Sequence, residues 1–158
     1  MDDQAKKTAL RMIPYGLYVL GTKDGDQMGA GTINWLTQAS FQPPLLAMGI
    51  KTDSATFRHL KANADFALSI LGTGQKEMAF AFFKPTEREG DALNGYRFET
   101  LESGAPVFLD APAWVEARVT DIVERGDHAV VVAEAFAAGV REEKPVLTLQ
   151  ETGVFYGG

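Results

Sequence analysis

The chain has no cysteine, so disulfides, a thiolate nucleophile and iron–sulfur ligation are all excluded. It has two histidines, His59 and His128, too few for a histidine-based metal site. It lacks a basic excess: the formal net charge is −6 and the isoelectric point is near 4.9, which argues against nucleic acid or an anionic membrane as the main partner. No Gly-x-Gly-x-x-Gly opens a helix after a strand, no Walker loop is present, and no Ser-His-Asp setting is visible. The segment MDDQAKKTALRM is charged and has no apolar stretch of the kind found in secretory signals, so the expected location is the cytoplasm. At 158 residues, the expectation is one domain over residues 1–158 with a sizeable core.

Charge is also missing locally. Met28 to Ile50 (MGAGTINWLTQASFQPPLLAMGI) carries no Asp, Glu, Lys, Arg or His, although 23% of the chain is charged. A membrane span would need roughly 20 mainly apolar residues. Thr32, Asn34, Thr37, Gln38, Ser40 and Gln42 interrupt this run and Pro43-Pro44 breaks it, so it reads as two strands about a turn. With period two, the first strand has one face of Thr32, Asn34, Leu36, Gln38 and Ser40. Its other face, Ile33, Trp35, Thr37, Ala39 and Phe41, is the expected core face. A neutral polar face suits either a partly buried polar ligand or a cross-strand ladder that binds nothing, and the pattern alone leaves both open.

The rest of the chain reads as short strands with a few helices. Asp3 to Arg11 is an amphipathic helix stopped by Pro14. Tyr15 to Thr22 is a strand, and Lys23-Asp24-Gly25-Asp26 turns it into the strand resuming at Met28. Asp53 or Ser54 caps a helix reaching about Asn63, with Phe57 and Leu60 facing inward. Its start, with Lys51 and flanking hydroxyls, can hold an anion, although a plain capped helix is the commoner case. Phe66 to Leu71 is a buried strand, and Gln75 to Phe83 a short apolar helix followed by Lys84, a solvated lysine. Pro85 to Tyr96 is a charged loop of a length often functional. Ala113 to Glu124 and His128 to Val140 form a hairpin about Gly126-Asp127, with Glu116 and Arg118 structural and paired across strands. His59 is assigned to the outer part of its helix, without a role. Many short alternating strands favour an all-β barrel.

The stretch GTINWLTQASFQPPLLAMGI, the Ser54-Ala-Thr56 loop, Phe82-Phe83-Lys84, the run AWVEARV followed by Gly126-Asp127-His128, and the closing VFYGG together resemble the flavin reductase-like family of FMN-binding split barrels. The resemblance spans roughly Tyr15 to Tyr156. It implies a mainly β fold: an antiparallel split β-barrel of Greek-key type with short flanking helices, Val154 to Gly158 forming a closing strand. It implies FMN, with FAD as the other flavin, and NADH or NADPH as electron donor. Thr32, Asn34, Gln38 and Ser40, with nearby backbone such as that of Ile33 and Ala39, are then expected at the isoalloxazine or ribityl chain. Lys51, Ser54 and Thr56 are expected at the phosphate, although Lys51 stands where the family often has Asn. His128 is expected beside the flavin or the nicotinamide, where its charge state can change near neutral pH; by residue type alone it is an exposed turn histidine. Trp35 is expected in the core.

Three functions share such a pocket: an NAD(P)H-dependent flavin reductase, a non-enzymatic FMN electron carrier served by a protein partner, and a flavin sensor or store. Hydride transfer is the flavin's own chemistry, so a reductase needs orientation and electrostatics and no dedicated acid–base pair, and the sequence shows none. The resemblance also implies a homodimer and a redox partner protein or flavin-dependent monooxygenase. The apolar runs VVVAEAFAA and FAFF are candidate contact surface.

Overall fold

The computed structural model describes residues Met1–Gly158. In chain order the elements are α1 (Asp3–Arg11), β1 (Tyr18–Asp24), β2 (Gln27–Ile33), β3 (Leu36–Ser40), β4 (Leu45–Lys51), α2 (Ala55–Ala62), β5 (Asp65–Ile70), α3 (Lys76–Ala81), β6 (Arg88–Glu89), β7 (Ala92–Leu93), β8 (Tyr96–Thr100), β9 (Pro106–Phe108), β10 (Ala113–Val123), β11 (His128–Val140) and α4 (Leu149–Thr152). A seven-stranded antiparallel sheet has the order β2-β1-β5-β10-β11-β4-β3, and a four-stranded one the order β6-β7-β8-β9. No helix is long and apolar enough to cross a membrane.

The order of the large sheet dictates its curvature. Its two edge strands, β2 and β3, are joined only by Asn34 and Trp35. Three Cα steps reach at most roughly 11 Å, so the sheet curls until its edges nearly meet. No ladder joins β2 to β3, and the barrel is left split along that seam. Curling gives the sheet an inside and an outside, and β1 is covered on both. Val19 packs beneath α3 and the small sheet with Leu17, Phe82 and Phe108, whereas Leu20 packs into the barrel with Met48, Phe66, Val131 and α2's Phe57 and Leu60. Burying Phe57 and Leu60 stabilises the fold by about 1.5–3 kcal/mol each, which anchors α2 across one end of the barrel.

Three expectations change. The alternation read through Ala113 to Glu124 is interrupted by irregularities between Glu116 and Ala117 and between Val119 and Asp121, so the neighbours Glu116 and Ala117 are both buried. Arg118 does pair across strands, with Asp65 on β5 at 2.7 Å. Glu116 pairs with no strand neighbour; its carboxylate accepts from the Ser103 N–H at 2.9 Å and hydroxyl at 2.6 Å, pinning the loop before β9. The closing piece Val154 to Gly158 is not a strand: it pairs with no other segment, the isolated bridges lie upstream at Val146 and Thr148, and the chain ends in α4 and an irregular tail. The loop from Pro85 to Tyr96 contains the small hairpin β6–β7.

Candidate functional site

The seam opens into a cleft of about 680 Å³, between the end of β2, the start of α2, the segment after α3 and the tail. That volume lies within the range of single-ligand pockets. The chain does not run straight from β2 into β3 as the alternation predicted. It breaks at Asn34 and Trp35, because β2 pairs with β1 on one side of the seam and β3 with β4 on the other. The break turns Asn34 into the cleft wall, where it is 7% exposed. Its Nδ2 is buried and has no hydrogen-bond partner. An orphaned buried amide donor costs about 1–3 kcal/mol, and a ligand acceptor would relieve it.

A second wall comes from the start of α2. Ser54 caps the helix, accepting from the Phe57 N–H at 3.1 Å and donating to the Lys51 carbonyl at 2.7 Å. The other first-turn N–H groups have no intrahelical acceptor. Lys51, Ser54, Thr56, Arg58 and, on the opposite rim, Lys84 line this end, with Asp53 the one carboxylate. Asp53 lies 3.6 Å from Lys51, both exposed. An acidic protein therefore holds a locally basic cleft end, which favours an anion. On the rim, the Thr86 hydroxyl bridges the Ala30 N–H and carbonyl at 3.0 and 3.2 Å and holds the Lys84 segment on β2.

The Asp127–His128 turn is tied to the same place. His128 is the register partner of Lys51 across β11 and β4. The Thr52 N–H and hydroxyl both donate to the Asp127 carbonyl, at 3.0 and 3.1 Å. His128 Nδ1 lies 2.8 Å from the Asp127 carboxylate and Nε2 lies 2.5 Å from the Tyr156 hydroxyl. The His128 hydrogen bond, and then its charge, hold the Asp127 carboxyl below the usual carboxylate range. Burial pushes the Tyr156 phenol up, so it stays protonated at neutral pH. Trp35 backs this pair, its ring 4.5 Å from His128 and 5.1 Å from Tyr156. It lies flat on β4 because Gly49 has no side chain: a Cβ there would sit 2.9 Å from Trp35 Cε3. Trp35 is thus half-buried behind the cleft, with Nε1 buried and unpartnered.

Of the residues expected from sequence, Thr32, Ile33, Asn34, Lys51, Ser54, Thr56 and His128 come together in the cleft. The Thr32 hydroxyl already donates to the Ala79 carbonyl at 2.7 Å, so towards a ligand it can only accept. Gln38, Ala39 and Ser40 are not brought to this cleft. They lie on edge strand β3, beyond the break, with Gln38 and Ala39 exposed. Phe41, expected in the core, is 89% exposed. His59 is not on the outer part of its helix: it is buried, with Nδ1 3.0 Å from the Thr22 hydroxyl. Sequence reading missed Arg58, one turn after the capping Ser54, and Tyr156, whose only sequence signal was an aromatic in the closing piece.

A curled, split antiparallel barrel with an anion-favouring helix start and an aromatic wall defines a cofactor-type cleft. The model of the flavin reductase like domain matches residues 10–157, and the chain belongs to that family. It is 29% identical over 133 residues to diflavin flavoprotein A 1 of Synechocystis, covering 84% of this chain and 23% of that protein. It is 26% identical over 126 residues to the NADH:FMN oxidoreductase of Rhodococcus qingshengii, covering 80% of this chain and 65% of the relative. Among solved structures, an NADH:FAD oxidoreductase of Streptomyces globisporus in complex with NAD and FAD fragments superposes with a TM-score of 0.77 at 26% identity, covering 89% of this chain and 83% of that one. The chain spans less than half the length of the first curated relatives it matches, 22%, 23% and 43% of them.

Proposed function

We propose that this protein is an NAD(P)H-dependent flavin reductase that holds FMN in the cleft, as one domain over residues 1–158. The observation that carries the reading is the buried, unpartnered Asn34 Nδ2 in a cleft whose far end is basic. The residues fit a flavin. A planar ring with a rim of carbonyl oxygens answers the orphaned donor, and the walls at Ile33, Ile50 and Phe82 are apolar. A phosphate answers Lys51, Thr56, Arg58 and the helix start that Ser54 holds in place, the Ser54 hydroxyl itself being spent on the Lys51 carbonyl. FAD shares the ring and meets the same donor. A bound flavin would supply the two-electron chemistry, accepting a hydride from NADH or NADPH. The chain's own share is to hold and orient. Asn34 donates, Thr32 accepts, the start of α2 neutralises charge, and Trp35 with Tyr156 screens His128 from water.

His128 is the residue we place beside the reacting rings. Asp127 accepts at Nδ1, so Nε2 accepts from Tyr156 when the ring is neutral and donates when it is charged. The electron-carrier alternative needs the same cleft and differs only in its electron donor. The family resemblance and the relative in which this domain is a minor part of a longer flavoprotein support a redox partner protein or a flavin-dependent monooxygenase as electron acceptor. A cytoplasmic setting, where reduced nicotinamide nucleotides are available, completes the reading.

The working form we propose is a homodimer. The outward face of β11 is apolar at Val130, Phe136 and Val140, and Phe41 is exposed in the turn that follows β3, an edge strand of the same sheet. This reading makes Gln38, Ala39 and Ser40 cofactor contacts of the assembled dimer. Sedimentation showing only a 17.1 kDa species with flavin bound would refute it. The cleft assignment is tested by FMN titration of Asn34→Leu, which removes the orphaned donor at similar volume. Affinity should fall several-fold while the melting temperature holds or rises; unchanged affinity overturns the assignment.

A further inference from the structure

A second cavity, of about 440 Å³, lies between the C-terminal end of α1 and the tail. Leu149, Val154 and Tyr156 line both this cavity and the cleft, so the two are separated by a partition one side chain thick. Part of that partition, Val154 to Tyr156, belongs to a tail with no regular secondary structure. The cavity's chemistry is distinctive. Arg11 is its one charged residue, in a chain of net charge −6. Tyr15, Phe155 and Tyr156 supply aromatic surface and Met12 and Ile13 aliphatic surface. The Arg11 guanidinium lies 4.9 Å from the Phe155 ring centroid and donates through Nε to the Gly157 carbonyl at 3.2 Å. It makes no ion pair, so its terminal nitrogens are free for an anion.

An apolar, aromatic-walled cavity with one unpaired guanidinium suits a planar heterocycle carrying phosphate. We infer that this cavity is an adenine-nucleotide subsite, reached from the cleft when Tyr156 and its tail move aside, and that it receives the adenosine diphosphate half of a dinucleotide whose other half lies in the cleft. The inference rests on the flavin reductase reading for what fills the cleft. Two dinucleotides share that half: the nicotinamide donor and FAD.

The experiment compares wild type, Arg11→Ala, Arg11→Lys and Ile13→Trp, the last filling the cavity while leaving the charge. Calorimetry with ADP as the probe measures the subsite directly. FMN and FAD affinities and the KM for NADH identify which dinucleotide uses it. Arg11→Ala should weaken ADP roughly tenfold or more, Arg11→Lys should recover part of that, and Ile13→Trp should abolish binding, all with FMN affinity unchanged. A raised KM for NADH at constant kcat assigns the subsite to the donor. A loss for FAD but not FMN assigns it to the flavin. Equal ADP affinity in wild type and Arg11→Ala, or no ADP binding to wild type, overturns the inference. If FMN binding and reduction by NADH persist in that case, the proposed function stands without it.

Discussion

Ser54 and Thr56 sit together at the start of α2, and the structure predicts that they fail differently when each is replaced by alanine. The Ser54 hydroxyl is committed within the protein, accepting from Phe57 N–H and donating to the Lys51 carbonyl. Losing such a cap typically costs about 1 kcal/mol. In a chain of this size that is roughly 2–4 °C of melting temperature. Thr56 caps nothing, so Thr56→Ala should change stability by less than about 0.5 kcal/mol. If its hydroxyl contacts the flavin phosphate, a charge-assisted bond of about 1.5–3 kcal/mol is lost, or roughly ten- to a hundredfold in affinity. The assay is thermal melting of the flavin-free variants beside fluorescence titration with FMN and with riboflavin, which has the ring but no phosphate. Thr56→Ala should weaken FMN and spare riboflavin at an unchanged melting temperature, whereas Ser54→Ala should lower the melting temperature. Equal losses for FMN and riboflavin, or no loss for FMN in Thr56→Ala, would refute the phosphate assignment.

Glu116→Ala should be severe: it leaves the Ser103 N–H and hydroxyl without their buried acceptor, at about 1–3 kcal/mol each, and urea unfolding should show a loss of that order. Gly49→Ala should push Trp35 off β4, because the new Cβ would lie 2.9 Å from its ring; the expected readout is a shifted tryptophan emission with weakened flavin binding in a folded protein. Asp127→Asn tests a pH dependence of stability. The folded-state carboxyl is depressed by His128, so its ionised form stabilises the fold at neutral pH and that contribution disappears as pH falls through the depressed value. The wild-type advantage over Asp127→Asn should therefore be present at neutral pH and close in acid; a gap that widens below the carboxylate range would contradict the pairing.

What could be read from sequence followed from local rules. The β1–β2 and β10–β11 hairpins, α1, and the cap and inward face of α2 are written in turn residues, capping hydroxyls and periodicity, and His128 begins its strand as its Gly-Asp turn required. Features set by pairing between distant strands were not legible. Nothing local distinguishes a continuous strand through Asn34 from one that breaks there; the break arises because β2 and β3 are opposite edges of one sheet. That break separates Gln38, Ala39 and Ser40 from Asn34. The irregularities in β10 bury Glu116 and Ala117 together, which an alternating pattern forbids. The tail's role at the cleft was equally hidden, since Tyr156 reaches His128 across 28 residues of chain.

The most direct test of the central claim is anaerobic stopped-flow mixing of the FMN-loaded protein with NADH and, separately, NADPH, following the flavin's visible absorbance in wild type and His128→Ala. The account predicts bleaching by at least one nucleotide, far faster than for free FMN at equal concentration, and a slower rate in the variant at unchanged FMN occupancy. Bleaching no faster than free FMN with either nucleotide would contradict the reductase reading and leave the electron carrier in its place.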